Sequence, residues 1–531
     1  MKKYLLFIII SGFSFSCDQD FLDVTPLGTL SDATFWQSED DAYMALMGCY
    51  NGFRNFMDII GMDNSSDNCT GFMSHLEPGS AHDLAQNMIQ RGTANASNYT
   101  TPFFDYDPIR RYNNFLEKIE DVPMDQATID LYIAEVRFLR AYDYFYKAQL
   151  YGDMPLITET VSSDYKPTRT PVAQVNQFVL DECEAISSIL PVENYADSEG
   201  RITAGTALAL KARLELLLGK YSDAMADAKR VIDMGVYNLH PDYESLFWPG
   251  NETSEEIIFA IRELAPYVAR THLLIRQMIT SLGGWAGLGA TKNLLEAYET
   301  SDGKTIDDPT NTLYDPNNPY ANRDPRMFMS FLWAGHEYPP NSGECFDNLN
   351  EKLPSGESNR DFYNYPEVTV NVFIKWIEPN WSLSDRTNYD VDIICFRLAE
   401  MYLTYAEAAV ELNQNTATAL GYVNAIRQRA GMPAATALTK DLVLRERRVE
   451  LVIEGLRYFD IKRFDLGPQV FNDTVYSAQM YGTLDLQTCT PTLENRYIAR
   501  GVNHFYPERN YLFPIPQSER DVTGIKQNDG Y

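Results

Sequence analysis

The chain has 531 residues, an apolar fraction of 45% and a formal net charge of −30. Its length and apolar content are enough for a sizeable core, arranged as about three domains or as one large continuous helical fold. A charge of this sign excludes a nucleic-acid partner, whose phosphates need a basic face. It suits a protein kept soluble by self-repulsion at an anionic surface.

The first element in chain order is an export signal. Lys2 and Lys3 precede an apolar run from Tyr4 to Phe15, followed by Ser16 and Cys17. The run is too short to span a membrane as a helix. Cys17 therefore reads as the lipid-modified first residue left after removal of residues 1–16, with acyl chains tethering an otherwise soluble domain over 17–531. Asp18, Gln19 and Asp20 resemble the acidic start that sends some lipoproteins to the outer face of the outer membrane.

Helical periodicity dominates the remainder of the chain, chiefly over 30–60, 106–235 and 396–465. From Leu131 the apolar positions Ala134, Phe138, Tyr142, Phe145 and Ala148 mark one face of a long helix. Thr203 caps a helix with Ala207, Leu210, Leu214 and Leu217 on its apolar face. After the turn Leu218-Gly219-Lys220-Tyr221, Ser222 is predicted to cap a second helix carrying Ala224, Ala228 and Val231. This pair resembles a tetratricopeptide repeat, and 127–190 and 398–430 read as degenerate copies. Further helices run from Leu398 to a stop at Asn413, from Thr416 to Gly431, and from Leu442 through Val452 and Ile453 to Leu456. Repeats of this kind bury little alone, so the fold class is mainly α: one tetratricopeptide-like scaffold assembled from distant parts of the chain.

Residues 60–105 and 236–395 are different, with clustered Gly, Pro, Asn, Asp and Ser and short strand-like runs such as Val368 to Ile377. Long loops in a compact protein usually carry function, so binding is expected there.

Catalytic and metal signatures are sparse. There is no metalloprotease helix motif, nucleophile elbow, phosphate-cradling loop or dinucleotide fingerprint, and the six histidines are scattered. The reading is a non-enzymatic protein with no cofactor and no metal site. A weak calcium signal comes from Asp302-Gly303, Asp307-Asp308 and Asn317-Asn318, without full EF-hand spacing. Cys49, Cys69, Cys183, Cys345, Cys395 and Cys489 form no metal-binding pattern. Their irregular placement favours buried free thiols for most of them.

Several phrases occur together and in order. They are Phe21-Leu22-Asp23 with Pro26; Phe138-Leu139-Arg140-Ala141-Tyr142-Asp143-Tyr144-Phe145 with Leu150-Tyr151-Gly152-Asp153-Met154-Pro155-Leu156; and Arg397-Leu398-Ala399-Glu400-Met401-Tyr402-Leu403. Glu446-Arg447-Arg448-Val449-Glu450-Leu451, Glu454-Gly455-Leu456-Arg457-Tyr458-Phe459-Asp460, Leu512-Phe513-Pro514-Ile515-Pro516 and Asn528-Asp529-Gly530-Tyr531 come after them. Together they resemble the SusD/RagB family of surface lipoproteins of Bacteroidetes. The resemblance implies a nutrient-binding protein on the outer membrane, facing the cell exterior. It would capture a glycan, or a peptide in some members, for a SusC-like TonB-dependent transporter. It also implies that Arg397, Glu400 and Glu446 are scaffold contacts.

Among ligand candidates, Trp285 is flanked by Gly283, Gly284 and Gly287, a setting that offers no core for the ring. The founder of the family has a sugar-stacking tryptophan at the equivalent place. Asp67 and Asn68, in the loop from Asp63, offer hydroxyl-binding groups, although turn chemistry accounts for such residues equally well. Arg91 and Tyr99 stand where the founder has an aromatic, and Tyr267 lies where an apolar run turns into loop. Trp333, Tyr338 and Trp381 are lesser candidates, Trp333 with a strand-like, core-type setting. The residues leave open peptide capture, a helical glycoside hydrolase with a buried carboxylate pair, and a pure adaptor.

Overall fold

The computed structural model describes residues 35–51, 62–63, 66–71, 104–162, 164–193, 200–265, 267, 288–338, 342–359, 361–362, 371–379, 389–472, 474–502 and 505–531. The signal, Cys17, and the expectations for Arg91, Tyr99, Trp285 and Trp381 lie outside these residues.

The scaffold helices are α1 (Glu39–Asn51), α2 (Asp107–Lys118), α3 (Gln126–Tyr151), α4 (Val172–Ser187), α5 (Ala204–Leu217) and α6 (Tyr221–Asp233). The short α7 (Lys292–Ala297) and α8 (Arg326–Ser330) lie in the loop region. They are followed by α9 (Leu398–Leu412), α10 (Thr416–Arg429), α11 (Lys440–Glu450) and α12 (Arg457–Arg463), and by short α13 (Gly467–Val470) and α14 (Gln517–Thr523). Each scaffold helix packs on the next from α2 to α6, α6 packs on α9, and α9 packs on α10 and α11. The scaffold is thus one helical stack that closes across the whole loop region, as a repeat architecture requires.

The helix ends follow from local chemistry. Asp125 Oδ2 accepts from the Ala127 and Thr128 amides at 3.1 and 3.2 Å and starts α3, which stops at Gly152 with φ 73°. Thr203 and Thr206 form a reciprocal capping box on α5. Gly205 in its first turn is required because a Cβ there would run into the Tyr237 hydroxyl. Ser222 does not cap α6; Lys220 holds that position, with no side-chain cap bond. Asn413 ends α9 in the left-handed region, as expected.

α3 is more deeply buried than a one-faced helix. From Ala134 to Tyr151 every residue except Arg137 is buried, because α1, α2, α4 and α5 all pack on this helix. Its charges are compensated internally. Arg201 binds Glu135, Arg140 binds Glu182 at 3.2 Å, and Lys147 binds Asp143 at 2.9 Å. The end of the chain is stitched to this helix: Phe513 N donates to the Leu150 carbonyl at 2.7 Å, and Asn528 Nδ2 donates to the Tyr151 carbonyl at 3.0 Å.

The last expected helix breaks. α11 ends at Glu450 and α12 begins at Arg457, with Ile453 at φ 58° and Gly455 at φ 75° between them. The carbonyls freed by the break are claimed by buried donors. Lys375 Nζ bonds the Glu450 and Val452 carbonyls at 3.3 and 2.9 Å, Arg397 Nη2 bonds that of Glu450 at 2.9 Å, and Trp376 Nε1 bonds that of Ile453 at 3.1 Å. Such partners are what a buried helix terminus needs.

Among the described residues, three antiparallel two-stranded sheets accompany the helices. β1 (Cys69–Gly71) pairs with β3 (Leu288–Ala290), and β2 (Ile257–Ile261) with β4 (Ile393–Arg397). β5 (Thr474–Asp485) and β6 (Thr490–Val502) form a long hairpin that was not expected from the sequence. The run Val368 to Ile377 forms no strand in its described part, only the bridges Val372 to Gly289 and Phe373 to Phe331. Cys345 and Cys489 form a disulfide that pins the hairpin turn, while Cys49, Cys69, Cys183 and Cys395 are buried free thiols. Burial pushes the Cys49 and Cys395 thiols up to about 12, which makes them unreactive.

Candidate binding site

The loop region is fastened to the scaffold by a buried ionic cluster. Arg397 bonds Glu256, Glu450 and Glu454 at 2.8, 2.7 and 2.7 Å, and Arg326 bonds Asp324, Glu446 and Glu450 at 2.7, 2.5 and 3.0 Å. Arg427 adds Glu446 and Glu299, Arg429 adds Glu256 and Glu450, and Lys375 binds Glu454. Against burial, which pushes it up, Arg429, Arg397 and Arg326 hold the Glu450 carboxyl far below the usual range. Separately, Arg213 binds Glu400 at 2.7 Å. Arg397, Glu400 and Glu446 are scaffold contacts.

From this anchorage the segment 371–377 reaches to β3. Val372 bridges Gly289, and the Asn371 carbonyl accepts from Ala290 N at 2.9 Å. On the other side Thr291 Oγ1 donates to the Asp67 carbonyl at 2.6 Å, and Thr291 N to that of Asn68 at 3.0 Å. The β1–β3 ribbon places Gly71 opposite Leu288.

Asp67 and Asn68 depart from the expectation of ligand contact. Both are buried, and their side chains are engaged by the scaffold. Arg457 binds both Asp67 oxygens at 2.7 and 3.0 Å, Arg448 reaches Asp67 at 3.1 Å, and Arg448 Nε bonds Asn68 Oδ1 at 2.8 Å. Burial pushes the Asp67 carboxyl up, but Arg448 and Arg457 outweigh it and hold the group at about 2. Asp63 lies beside them, accepting from Gly455 N at 2.7 Å, and burial pushes its carboxyl up to about 7. These residues fix the start of the loop instead of presenting groups to a ligand.

The other candidates separate clearly. Tyr267 is 84% exposed and Leu264 nearby is 61% exposed, just past the end of β2. Trp333 and Tyr338 are buried, with Trp333 Nε1 bonded to the Met327 carbonyl at 3.0 Å, so both belong to the core. Tyr476 on β5 was not among the residues singled out from the sequence. It is 41% exposed, next to Ser477, whose bridge to Thr291 brings the hairpin to the end of the ribbon. The Val475-Tyr476 pair in a run of strand formers was the available signal. In the weak calcium loop, Asp302 accepts from Thr300 Oγ1 at 2.7 Å, and Asp308 accepts from the Thr310 amide and hydroxyl at 2.7 and 2.8 Å. Among the described residues no cluster of three metal-type ligands occurs.

A helical scaffold with the β1–β3 ribbon and the segment 371–377 fastened to it is the frame of this chain. Residues 263–531 match the family described as the SusD family, and residues 20–216 match one described as starch-binding associating with outer membrane. The chain belongs to the SusD family. It is 26% identical over 510 residues to a SusD-like protein of Formosa agariphila, covering 88% of this chain and 93% of that one. It is 26% identical over 457 residues to the starch-binding protein SusD of Bacteroides thetaiotaomicron, covering 80% and 77%. A SusD-like carbohydrate-binding protein of Bacteroides fragilis superposes with a TM-score of 0.81 at 27% identity, over 92% of this chain and 99% of that one. Among the described residues no helix is long and apolar enough to cross a membrane.

Proposed function

We propose that the protein is a surface lipoprotein, anchored through Cys17 to the outer membrane, that binds an oligosaccharide and passes it intact to a SusC-like TonB-dependent transporter. The observation that carries this reading is the match of residues 263–531 to the SusD family, with residues 20–216 matching one described as starch-binding associating with outer membrane. Sugars present flat C–H faces to aromatic rings and hydroxyls to polar side chains, so Trp285, Tyr99 and Arg91 are of the residue types that would hold them. Tyr476 adds an exposed ring beside the Ser477 bridge to Thr291, and Tyr267 another just past the end of β2.

The test is a panel of oligosaccharides and peptides offered to the purified mature chain, with mass analysis of every ligand bound. Binding of a glycan that stays intact is expected. Selective peptide binding, or shortened glycan products, would overturn the reading.

A further inference from the structure

A cavity of about 790 Å³ lies on the scaffold, between the C-terminal end of α3, α12 and the last residues of the chain. That volume is of the size small ligands occupy. Phe459, Tyr511 and Leu512 form its apolar flank, while Arg169, Lys462 and Arg509 carry its charge. In a chain of net charge −30, five basic residues line this cavity against three acidic ones.

The cations are not equivalent. Arg463, which also lines the cavity, is paired with Glu407 and Asp460. Arg169 gives its N–H groups to the carbonyls of Tyr151, Asp153 and Lys526 and to the Asn528 amide oxygen. Lys462 Nζ donates to the Gln149 carbonyl, and no carboxylate among the described residues forms an ion pair with it. Lys147 and Lys375, both buried, have Asp143 and Glu454 at 2.9 and 2.7 Å. An ammonium has three donors, so Lys462 keeps two beyond the one bond it makes among the described residues. Burial draws its ammonium down to about 8. The bond to Gln149, in the last turn of α3, is also a helix-end contact. Capping uses one donor, however, and accounts neither for the others nor for the space beside them.

We infer that this cavity is a second binding site, distinct from the loops, for a small organic anion whose carboxylate, sulfate or phosphate is received by Lys462 while its less polar body lies against Phe459 and Tyr511.

The experiment is calorimetric titration of the mature chain with glucuronate, glucose 6-sulfate and glucose 6-phosphate, with glucose as the neutral control. At least one anion should bind while glucose does not, and the preferred head group identifies the anion class. Lys462→Met should weaken binding on the order of ten- to a hundred-fold, as expected for loss of one hydrogen bond to a charged group. Val172→Trp fills the cavity without touching Lys462. It should abolish binding too, and it carries the test if Lys462→Met does not fold. Trp285→Ala should leave anion binding unchanged. The inference is overturned if no anion binds, if glucose binds equally, if binding survives a folded cavity variant, or if Trp285→Ala removes it.

Discussion

Trp376 and Ile453 both adopt left-handed backbone, at φ 78° and 58°, and the Trp376 indole nitrogen donates to the Ile453 carbonyl at 3.1 Å. Left-handed conformation costs a non-glycine residue about 1–2 kcal/mol, and a β-branched isoleucine is an especially poor occupant. Both residues are fully buried, so surrounding contacts hold the conformation in place. The bond joins the segment that reaches β3 to the break between α11 and α12. Trp376→Phe keeps a ring and leaves the Ile453 carbonyl without its donor. It should cost about 1–3 kcal/mol in denaturant unfolding. A loss below about 0.5 kcal/mol would mean that this bond is replaceable.

Two aspartates four positions apart should respond to pH in opposite senses. The Asp67 carboxyl is held below its usual 3.8, at about 2, so its contribution is present above 3.8 and is lost as pH falls toward 2. The Asp63 carboxyl is raised to about 7, so its contribution is present below 3.8 and is lost as pH rises toward 7. In melting curves, Asp67→Asn should destabilise at pH 7, with the deficit shrinking below pH 4. Asp63→Asn, which can keep the Gly455 bond, should gain relative to the wild type as pH rises from 4 to 8. Parallel pH profiles for the two variants would contradict this assignment.

The disulfide between Cys345 and Cys489 closes a separation of 144 residues. Cys345→Ser and Cys489→Ser should each lower stability by roughly 2–5 kcal/mol under oxidising conditions, and the double variant should lose no more than either single one. Under reducing conditions wild type and variants should melt together. A difference that persists would place the effect in side-chain packing.

The glycine-flanked setting of Trp285 predicts a ring that meets ligand. Trp285→Ala should weaken glycan binding by about 1–3 kcal/mol, by analogy with base–aromatic stacking. Its melting temperature should barely move. A variant that binds normally but is destabilised by roughly 3–5 kcal/mol would assign the ring to the core.

The scaffold was legible in the sequence because apolar residues recur at helical spacing, as in Ala207, Leu210 and Leu214, all of them buried in α5. The break after Glu450 was not legible. Apolar spacing continues through Val452 and Ile453, and the donors that stabilise the break, Lys375, Trp376 and Arg397, come from elsewhere in the chain. Asp67 and Asn68 were misread for a related reason. Asp and Asn serve turns, ion pairs and sugar hydroxyls alike, and the deciding partner Arg457 stands 390 residues away. The β5–β6 hairpin gave little alternation, because its register shifts repeatedly along the pair and a central stretch of β5 is buried on both faces.

The stitching of Phe513 and Asn528 to the end of α3 has a consequence for folding. The Asn528 bond to Tyr151 spans 377 residues, so the clasp on the C-terminal end of α3 closes only when distant parts of the chain have come together. Contacts of such sequence separation form late and slow folding. A chain without Phe513 and Asn528 would lose both bonds to the C-terminal end of α3.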